Sequence, residues 1–470
     1  MRSLSQRRLA DETHRMMMSK TLELLERRPY VVIVAIGMIF SLAYLSAMTL
    51  FPRAHGRIID GDGIQYYAYV RSMVFDADFS FLNDYQLLYG TEDGGVWTTT
   101  RTSTDYAINL MSIGPALLWL PAFLIAYGAT WSINLFGAQI ALDGITLPFQ
   151  LSVGLAGIAY ATAGTCLCFR IAKHLFSTES AFWAVLVTWL ASPAIYYSLS
   201  APAYSHATSL FAVALFVDSW YRTRDRTDLA RYLLLGVLAG LVTLVRWQDA
   251  IIVLLPLTES AHRLLTKRTP FTVTLQRLAV MAGVTALTFT PQMLAWHAIY
   301  GEFLLTPQGS GFMRWTDPQI FSVLFSWNHG LFSWTPGLLV ASCGLYWLGK
   351  RDPVLGVGSA LVVFAAIYIN ASVEDWWAGE AFGARRFISY TPLFAVALTA
   401  LVSSLDWFRG KHWVRFAALG LIVSNVLFVT QYQLSMRGYD NLASYPTTAK
   451  QVLLERFLVP WRLITHSSRN

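Results

Sequence analysis

YVVIVAIGMIFSLAYLSAMTLF, Tyr30 to Phe51, is an unbroken apolar run, and Asp60-Gly61-Asp62-Gly63-Ile64-Gln65-Tyr66-Tyr67 follows closely behind it. A hydrocarbon core about 30 Å thick takes about 20 helical residues to cross. The run therefore reads as a membrane span, and the two carboxylates stand where the chain leaves the bilayer, at the head of a long polar loop. Acids at the lip of a first span point to chemistry on something held at that surface.

The rest of the chain has the same character. It is 55% hydrophobic and only 13% charged, with a mean hydropathy of +0.45, whereas a soluble domain averages about 25% charged residues. Apolar runs long enough to span recur along its length, and the short alternating segments of a transmembrane barrel are not what they look like. The expected fold class is an all-α polytopic membrane protein. Spans are expected at 30–51, 149–170, 181–200, 203–221, 231–246, 248–263, 277–299, 331–349, 354–371, 387–404 and 413–432, about eleven helices by the length criterion. The net charge of +7 is accounted for by the bilayer, so no nucleic-acid partner is expected. Cys166, Cys168 and Cys343 all lie in apolar runs and read as small buried hydrophobes, with no disulfide framework. Arg2, Arg7, Arg8, Arg15, Arg27 and Arg28 precede the first run, which is too long for a cleaved signal peptide.

Charge sets the expected orientation. Arg222, Arg224, Arg226 and Arg231 share one short loop; Arg263, Lys267, Arg268 and Arg277 share another; Lys350 with Arg351, and Arg409 with Lys411 and Arg415, mark two more. With a cytoplasmic N-terminus these loops fall inside, as basic loops do. Ile108 to Phe136 is apolar enough to span, yet a crossing there flips every later basic loop outward. It is expected to lie along the outer face or re-enter, bent by Pro115 and Pro121. One domain is expected: a cytoplasmic segment 1–29, a transmembrane domain 30–432 with its first extracytoplasmic loop at 52–147, and an extracytoplasmic tail 433–470, amphipathic near Lys450–Leu463, on the membrane surface.

The outer loops then collect the chemistry. The first is acidic, with Asp60, Asp62, Asp76, Asp78, Asp84, Glu92, Asp93 and Asp105. Ile64 to Phe75 has helical spacing with mixed polarity, as an interfacial helix does. Asp60 and Asp62 fall at its N-terminus, which favours an ionised carboxylate and so a general base for an attacking hydroxyl. Helix capping explains the same placement without chemistry. The Asp60-x-Asp62 spacing also opens like a calcium loop but lacks the further ligands and the closing Glu. The second constellation runs from Glu374, Asp375, Trp376 and Trp377 to Arg385 and Arg386. The two arginines sit at an outer span end, against the charge trend, and an Arg fork suits phosphate. Pairing with Glu374, Asp375 or Glu380 is the alternative. Arg246 lies between two short spans, where a charged residue is a functional candidate, and His206 stands at the outer start of a span, a candidate metal ligand or hydrogen-bond donor.

These residues resemble the GT-C superfamily of membrane glycosyltransferases, with the closest likeness to its aminoarabinose-transferase and protein-mannosyltransferase branch. Those enzymes open with one span and then an Asp-Glu-x-x-Tyr motif. Asp62-Gly63-Ile64-Gln65-Tyr66 keeps the Asp and the Tyr, with Gly in place of Glu. Ile113 to Trp119 looks like the family's Lys/His-Pro-Pro-Leu stretch without its basic residue. Gly240 to Arg246 is similar to a Gly-Leu-Ala-x-Leu-Thr-Lys/Arg stretch, and Tyr204-Ser205-His206 stands where the family has Ser-Arg. The likeness implies an inverting glycosyltransferase using a polyprenyl-phosphate-linked sugar donor. It implies Asp62 as the base, with Asp60 as a rival, and Arg385, Arg386 and Arg246 on the donor phosphate. Tyr66, His206, Glu374, Asp375, Trp376 and Trp377 would line the substrate site, and a divalent metal ion is a possible cofactor. The acceptor would be a lipid, glycan or protein at the outer, periplasmic face of a bacterial inner (plasma) membrane. The rival from another class is a transporter or flippase of a lipid-linked saccharide. Transporters place their polar sites at the midplane of inverted repeats, and no such repeat is visible.

Overall fold

The computed structural model describes residues 25–50, 57–90, 95–405 and 411–467. Arg2, Arg7, Arg8, Arg15, Glu92, Asp93 and Arg409 lie outside the described residues. Within them the chain is helical, with isolated bridges at Arg101–Ala107 and Met313–Val373. Among the described residues, seven helices are long and apolar enough to cross a membrane: Pro29–Thr49, Gly114–Asn134, Leu147–Leu175, Phe271–Tyr300, Pro353–Ala371, Arg385–Ser404 and Trp413–Met436. Leu229–Val245 is a shorter apolar helix. The protein is an all-α polytopic membrane protein.

In chain order the elements that position the site are α1 (Pro29–Leu50), α2 (Asp62–Phe75), α3 (Leu82–Tyr89), α4 (Gly95–Thr99), α5 (Gly114–Asn134), α6 (Leu147–Leu175), α7 (Thr178–Leu190), α8 (Ala194–Leu199), α9 (Ser205–Arg222) and α10 (Leu229–Val245). A 3-10 turn, Trp247–Val253, leads into α11 (Leu254–Leu265), then α12 (Phe271–Tyr300), α13 (Ile320–Phe325), α14 (Leu331–Trp334), α15 (Pro336–Arg351) and α16 (Pro353–Ala371). A second 3-10 turn, Arg385–Tyr390, opens α17 (Thr391–Ser404). α18 (Lys411–Met436), α19 (Ala449–Leu453) and α20 (Val459–Ser467) complete the chain.

Two expected spans are broken, and both breaks have a backbone cause. The 181–200 run divides at Ser192-Pro193, because proline has no N–H to give the preceding turn. The carbonyls freed there are satisfied from another helix: Asn425 Nδ2 donates to Leu190 O at 2.9 Å and to Ser192 O at 3.0 Å. The 331–349 run divides at Thr335, ahead of Pro336 at the first turn of α15. In a bilayer such interhelical hydrogen bonds carry association that the hydrophobic effect supplies in water.

The stretch expected to lie along the outer face or re-enter forms one continuous helix, α5, with Pro121 in its interior. Its 21 residues span about 31 Å at 1.5 Å per residue, enough to cross. Pro115 sits in its first turn, where the missing N–H costs nothing, so it starts the helix rather than bending it. The start presses on the end of α10: Ser112 Oγ donates to Val245 O at 2.6 Å, and a Cβ on Gly114 would collide with the Leu244 carbonyl and Val245 nitrogen. Further on, Phe123 meets Tyr67 and Phe75 of α2 edge to face and Phe149 of α6 at a tilt. Gly114→Ala is therefore expected to destabilise by about 1–3 kcal/mol, the range for overpacking. A melting temperature equal to wild type would contradict this contact.

The first loop folds over α2. Arg71 binds Asp76 at 2.5 Å and Asp84 at 2.9 Å, and burial pushes the Asp84 carboxyl up to about 6 against the pull of Arg71. The tail folds back on α18: Gln431 Nε2 donates to Ser444 O at 3.1 Å and to Gln451 O at 3.0 Å. Thr448 and Gln451 form a capping box on α19. Phe457, Trp461 and Ile464 remain exposed, an apolar face of the kind an interfacial helix lays on lipid.

His329 joins three segments. Its Nδ1 lies 2.8 Å from Trp377 O and donates to it, and its Nε2 lies 3.1 Å from the Tyr445 hydroxyl and accepts from it. Burial holds the imidazole down at about 4, below the ordinary 6.5. A neutral imidazole favoured by folding contributes stability above pH 6.5 that is lost as pH falls through 4, at most about 3 kcal/mol. Asp84 acts in the opposite sense between pH 4 and 6, since its raised carboxyl favours the protonated folded form. The readout is thus a difference. His329→Asn, which tolerates the left-handed backbone at this position (φ 63), should flatten the acid-side loss of melting temperature relative to wild type. Identical pH profiles would contradict it.

Candidate active site

Asp62 is the first residue of α2, and the carbonyl of Asp60 accepts from Gly63 N at 3.0 Å just before it. The chain turns into this helix through Gly61, at φ 50, where a Cβ would strike the Tyr204 hydroxyl. A side chain at that position is thus excluded twice, by backbone conformation and by space. The turn points Asp62 into a cleft of about 480 Å³, open to solvent, also lined by Tyr66, His206, Arg246, Arg385 and Arg386. Leu110 to Ser112, Trp247, Gln248 and Gln308 complete its wall.

Arg385 Nη1 lies 2.7 Å from Asp62 Oδ2. The arginine side chain is 13% exposed and the aspartate 33%, so the pair stands at the cleft wall with the carboxylate the more accessible partner. Arg385 Nη2 donates to Ala378 O at 2.9 Å, and its guanidinium sits 5.8 Å from the Tyr204 ring centre. Arg386 is held by Asp375, with both carboxylate oxygens within 2.8 Å of Nη2, and it also donates to the Asp375 carbonyl. Glu374 and Glu380 take neither arginine; Glu374 pairs with Arg314 at 2.6 Å on the surface.

Arg246 occupies the extended turn between α10 and the following 3-10 turn (φ −153). Its Nη1 donates to Ser205 Oγ at 3.3 Å and to His206 Nδ1 at 3.1 Å. A guanidinium only donates, so that imidazole nitrogen is an acceptor. Ser205 Oγ also accepts from the Tyr66 hydroxyl at 2.9 Å, which ties α2, α9 and the Arg246 turn into one network. Tyr66 is buried, and burial raises its hydroxyl above the ordinary range. Asp249 backs Arg246 at 3.7 Å and accepts from Tyr390 at 2.9 Å. Arg246 Nε and Asp249 Oδ2 are buried without a hydrogen-bond partner.

The structure thus brings Asp62, Tyr66, His206, Arg246, Arg385 and Arg386 to one cleft. It leaves Asp60, Glu374, Asp375, Trp376 and Trp377 outside the set that lines it. Asp375 acts at one remove, through Arg386; Trp376 and Trp377 pack edge to face on each other. Sequence reasoning missed the Gln308, Ser112 and Trp247 contributions and the Asp249–Tyr390 support. Asp249 lies in the polar turn that marked Arg246, a signal that could have found it; Gln308 lies in a loop without periodicity and had none.

Among the described residues no group of three or more His, Cys, Asp or Glu could hold a metal ion. In the cleft itself, Asp62 and His206 are surrounded by three guanidinium groups, with His206 Nδ1 already engaged. That donor set does not fit a divalent cation.

Fold and cleft together define an all-helical polytopic membrane protein with a polar, arginine-rich site at one end of its bundle. Among solved structures, the backbone is similar to ArnT from Cupriavidus metallidurans bound to undecaprenyl phosphate, at 14% identity and a TM-score of 0.49, over 93% of this chain and 75% of that one. It is likewise similar to the same protein in the apo state, at 14% identity and a TM-score of 0.47, over 93% and 74% of the two chains. No family model and no curated protein matches the chain.

Proposed function

We propose that this chain is a membrane glycosyltransferase that moves a sugar from a polyprenyl-phosphate donor to an acceptor hydroxyl, with Asp62 as general base. The observation that carries the reading is one carboxylate and three guanidinium groups on a single cleft at the end of a helical bundle. The donor phosphate would enter from the lipid and lie among Arg385, Arg386 and Arg246. An Arg fork holds two phosphate oxygens at once, and fixed cations stabilise charge where it develops.

In the reaction, the acceptor O–H gives its proton to Asp62 as its oxygen bonds the anomeric carbon. The bond from that carbon to the phosphate oxygen breaks, and the electron pair leaves with the polyprenyl phosphate. A single displacement inverts the anomeric centre. Phosphate in the cleft competes with Asp62 for Arg385, so donor binding frees the carboxylate for the acceptor. The acceptor is a lipid, glycan or protein hydroxyl at the outer, periplasmic face of a bacterial plasma membrane, the side on which the basic loops are fewest.

The test is a transfer assay with purified protein, a panel of polyprenyl-phosphate sugars and hydroxyl acceptors, with and without chelator. Product is expected with at least one donor and in the presence of chelator. An Asp62→Asn protein that folds, binds polyprenyl phosphate and still transfers sugar at the wild-type rate would overturn the reading in favour of a carrier of lipid-linked saccharides.

A further inference from the structure

The end of the bundle opposite Asp62 holds a second cavity, about 810 Å³. α9 connects the two sites, with His206 at one end and Trp220 at the other. The 14-residue rise from His206 to Trp220 separates them by about 21 Å. Nothing in the proposed transfer reaction uses this second cavity, and its chemistry stands apart from that reaction.

The walls carry both signs of charge; of the three acids, Glu259 and Asp352 are already occupied, and Asp225 is exposed. Glu259 is 6% exposed, and each of its oxygens takes two donors. Oε1 accepts from Arg231 Nη1 at 3.0 Å and Arg263 Nε at 2.9 Å; Oε2 accepts from Arg231 Nη2 at 2.6 Å and Trp220 Nε1 at 2.7 Å. Asp352 pairs with Arg224, accepts from Leu355 N at 3.1 Å as the cap of α16, and takes the Tyr221 hydroxyl at 3.4 Å. Two further cations line the same cavity, Arg268 and Arg351. Among the described residues neither forms an ion pair with a carboxylate.

Their positions are fixed by the backbone rather than by partners. Arg268 follows the end of α11 in a tight turn, its N–H donating to Arg263 O at 2.8 Å behind Lys267 at φ 55. Arg351 is the last residue of α15. The cavity is therefore a concave site with its two buried acids neutralised, two guanidinium groups against the one exposed carboxylate of Asp225, and His262 beside them. Planar forks on opposite elements suit a tetrahedral oxyanion, which accepts from both. We propose that this cavity binds a phosphate group, held between Arg268 of the α11–α12 turn and Arg351 of the α15 terminus. The group could be carried by an anionic phospholipid headgroup, which basic pockets between transmembrane helices are suited to hold, or by a free phosphate.

The experiment uses the full chain in neutral detergent. Melting temperature and native mass spectra are recorded with phosphatidylglycerol, with phosphatidylcholine as the zwitterionic control, and with inorganic phosphate. Both arginines are exposed, so Arg268→Ala/Arg351→Ala should fold. Arg226→Ala, which removes an arginine paired with Asp228 on the surface, is the control for loss of a surface charge outside the cavity. Expected is a melting-temperature rise with an anionic ligand and at least tenfold weaker binding in the double variant, with Arg226→Ala like wild type. A response to phosphatidylglycerol alone assigns the headgroup, and a response to inorganic phosphate assigns the free anion. No anion-dependent response, equal binding by the double variant, or an equal loss in Arg226→Ala would overturn the proposal.

Discussion

Asp62→Asn is expected to lower sugar transfer by about 10²–10⁴-fold, the range for losing a positioned general base, while the protein still folds and binds polyprenyl phosphate. The amide is nearly isosteric, and its oxygen can still accept from Arg385, 2.7 Å away in the wild type. What it cannot do is take the acceptor's proton. The loss should therefore fall on turnover rather than on donor affinity. Asp60→Asn is the matched control, because Asp60 lies outside the residues that line the cleft, and its activity should stay close to wild type. A large loss in Asp60→Asn with a small one in Asp62→Asn would move the base to the other carboxylate.

Arg385→Ala has the second largest expected effect. Removing one fixed donor from developing charge costs about 10²–10³-fold in rate. Here the loss has two sources. The donor phosphate loses a guanidinium, and Asp62 loses the partner that holds it at the cleft wall. Arg385 also anchors the 378 loop through Ala378 O, so donor affinity should fall together with turnover, unlike Asp62→Asn. Lysine is a poor replacement: a point ammonium cannot hold Asp62 and the Ala378 carbonyl with two edges of one plane. Arg385→Lys is expected to recover little of the activity. Recovery to within a few-fold of wild type would show that Arg385 contributes charge alone.

Much of this site was legible in the chain, for physical reasons that differ by residue. Arg385 and Arg246 stood out because a guanidinium at the uncharged end of a span needs a partner, and both have one: Asp62 for the first, Ser205, His206 and Asp249 for the second. The choice between Asp60 and Asp62 was not legible. It depends on the Gly61 turn, where a positive φ and the Tyr204 hydroxyl of a distant segment both leave no room for a side chain. Glu374, Trp376 and Trp377 stand outside the cleft lining because closeness in sequence to Arg385 does not survive a loop that turns at Ala378 and Gly379, both at positive φ. That turn hands Arg385 across to α2 and leaves Glu374 to Arg314. The all-helical membrane class followed from composition and run length alone. The breaks at Pro193 and Thr335 were partly legible, since proline marks where a helix stops but not which partner, here Asn425, makes the break tolerable. α5 was placed along the outer face by the charge of the later loops, with bends at Pro115 and Pro121; Pro115 stands in the first turn, where proline favours a helix, and Pro121 lies within the continuous helix.

The most direct measurement is a cryo-electron microscopy structure of the wild-type protein in a nanodisc with a polyprenyl phosphate. The account predicts phosphate density in the Asp62 cleft, within about 2.7–3.2 Å of Arg385 and of at least one of Arg246 and Arg386, with the Asp62 carboxylate released from Arg385. Phosphate density elsewhere on the protein, with the cleft empty and the Asp62–Arg385 pair intact, would contradict it.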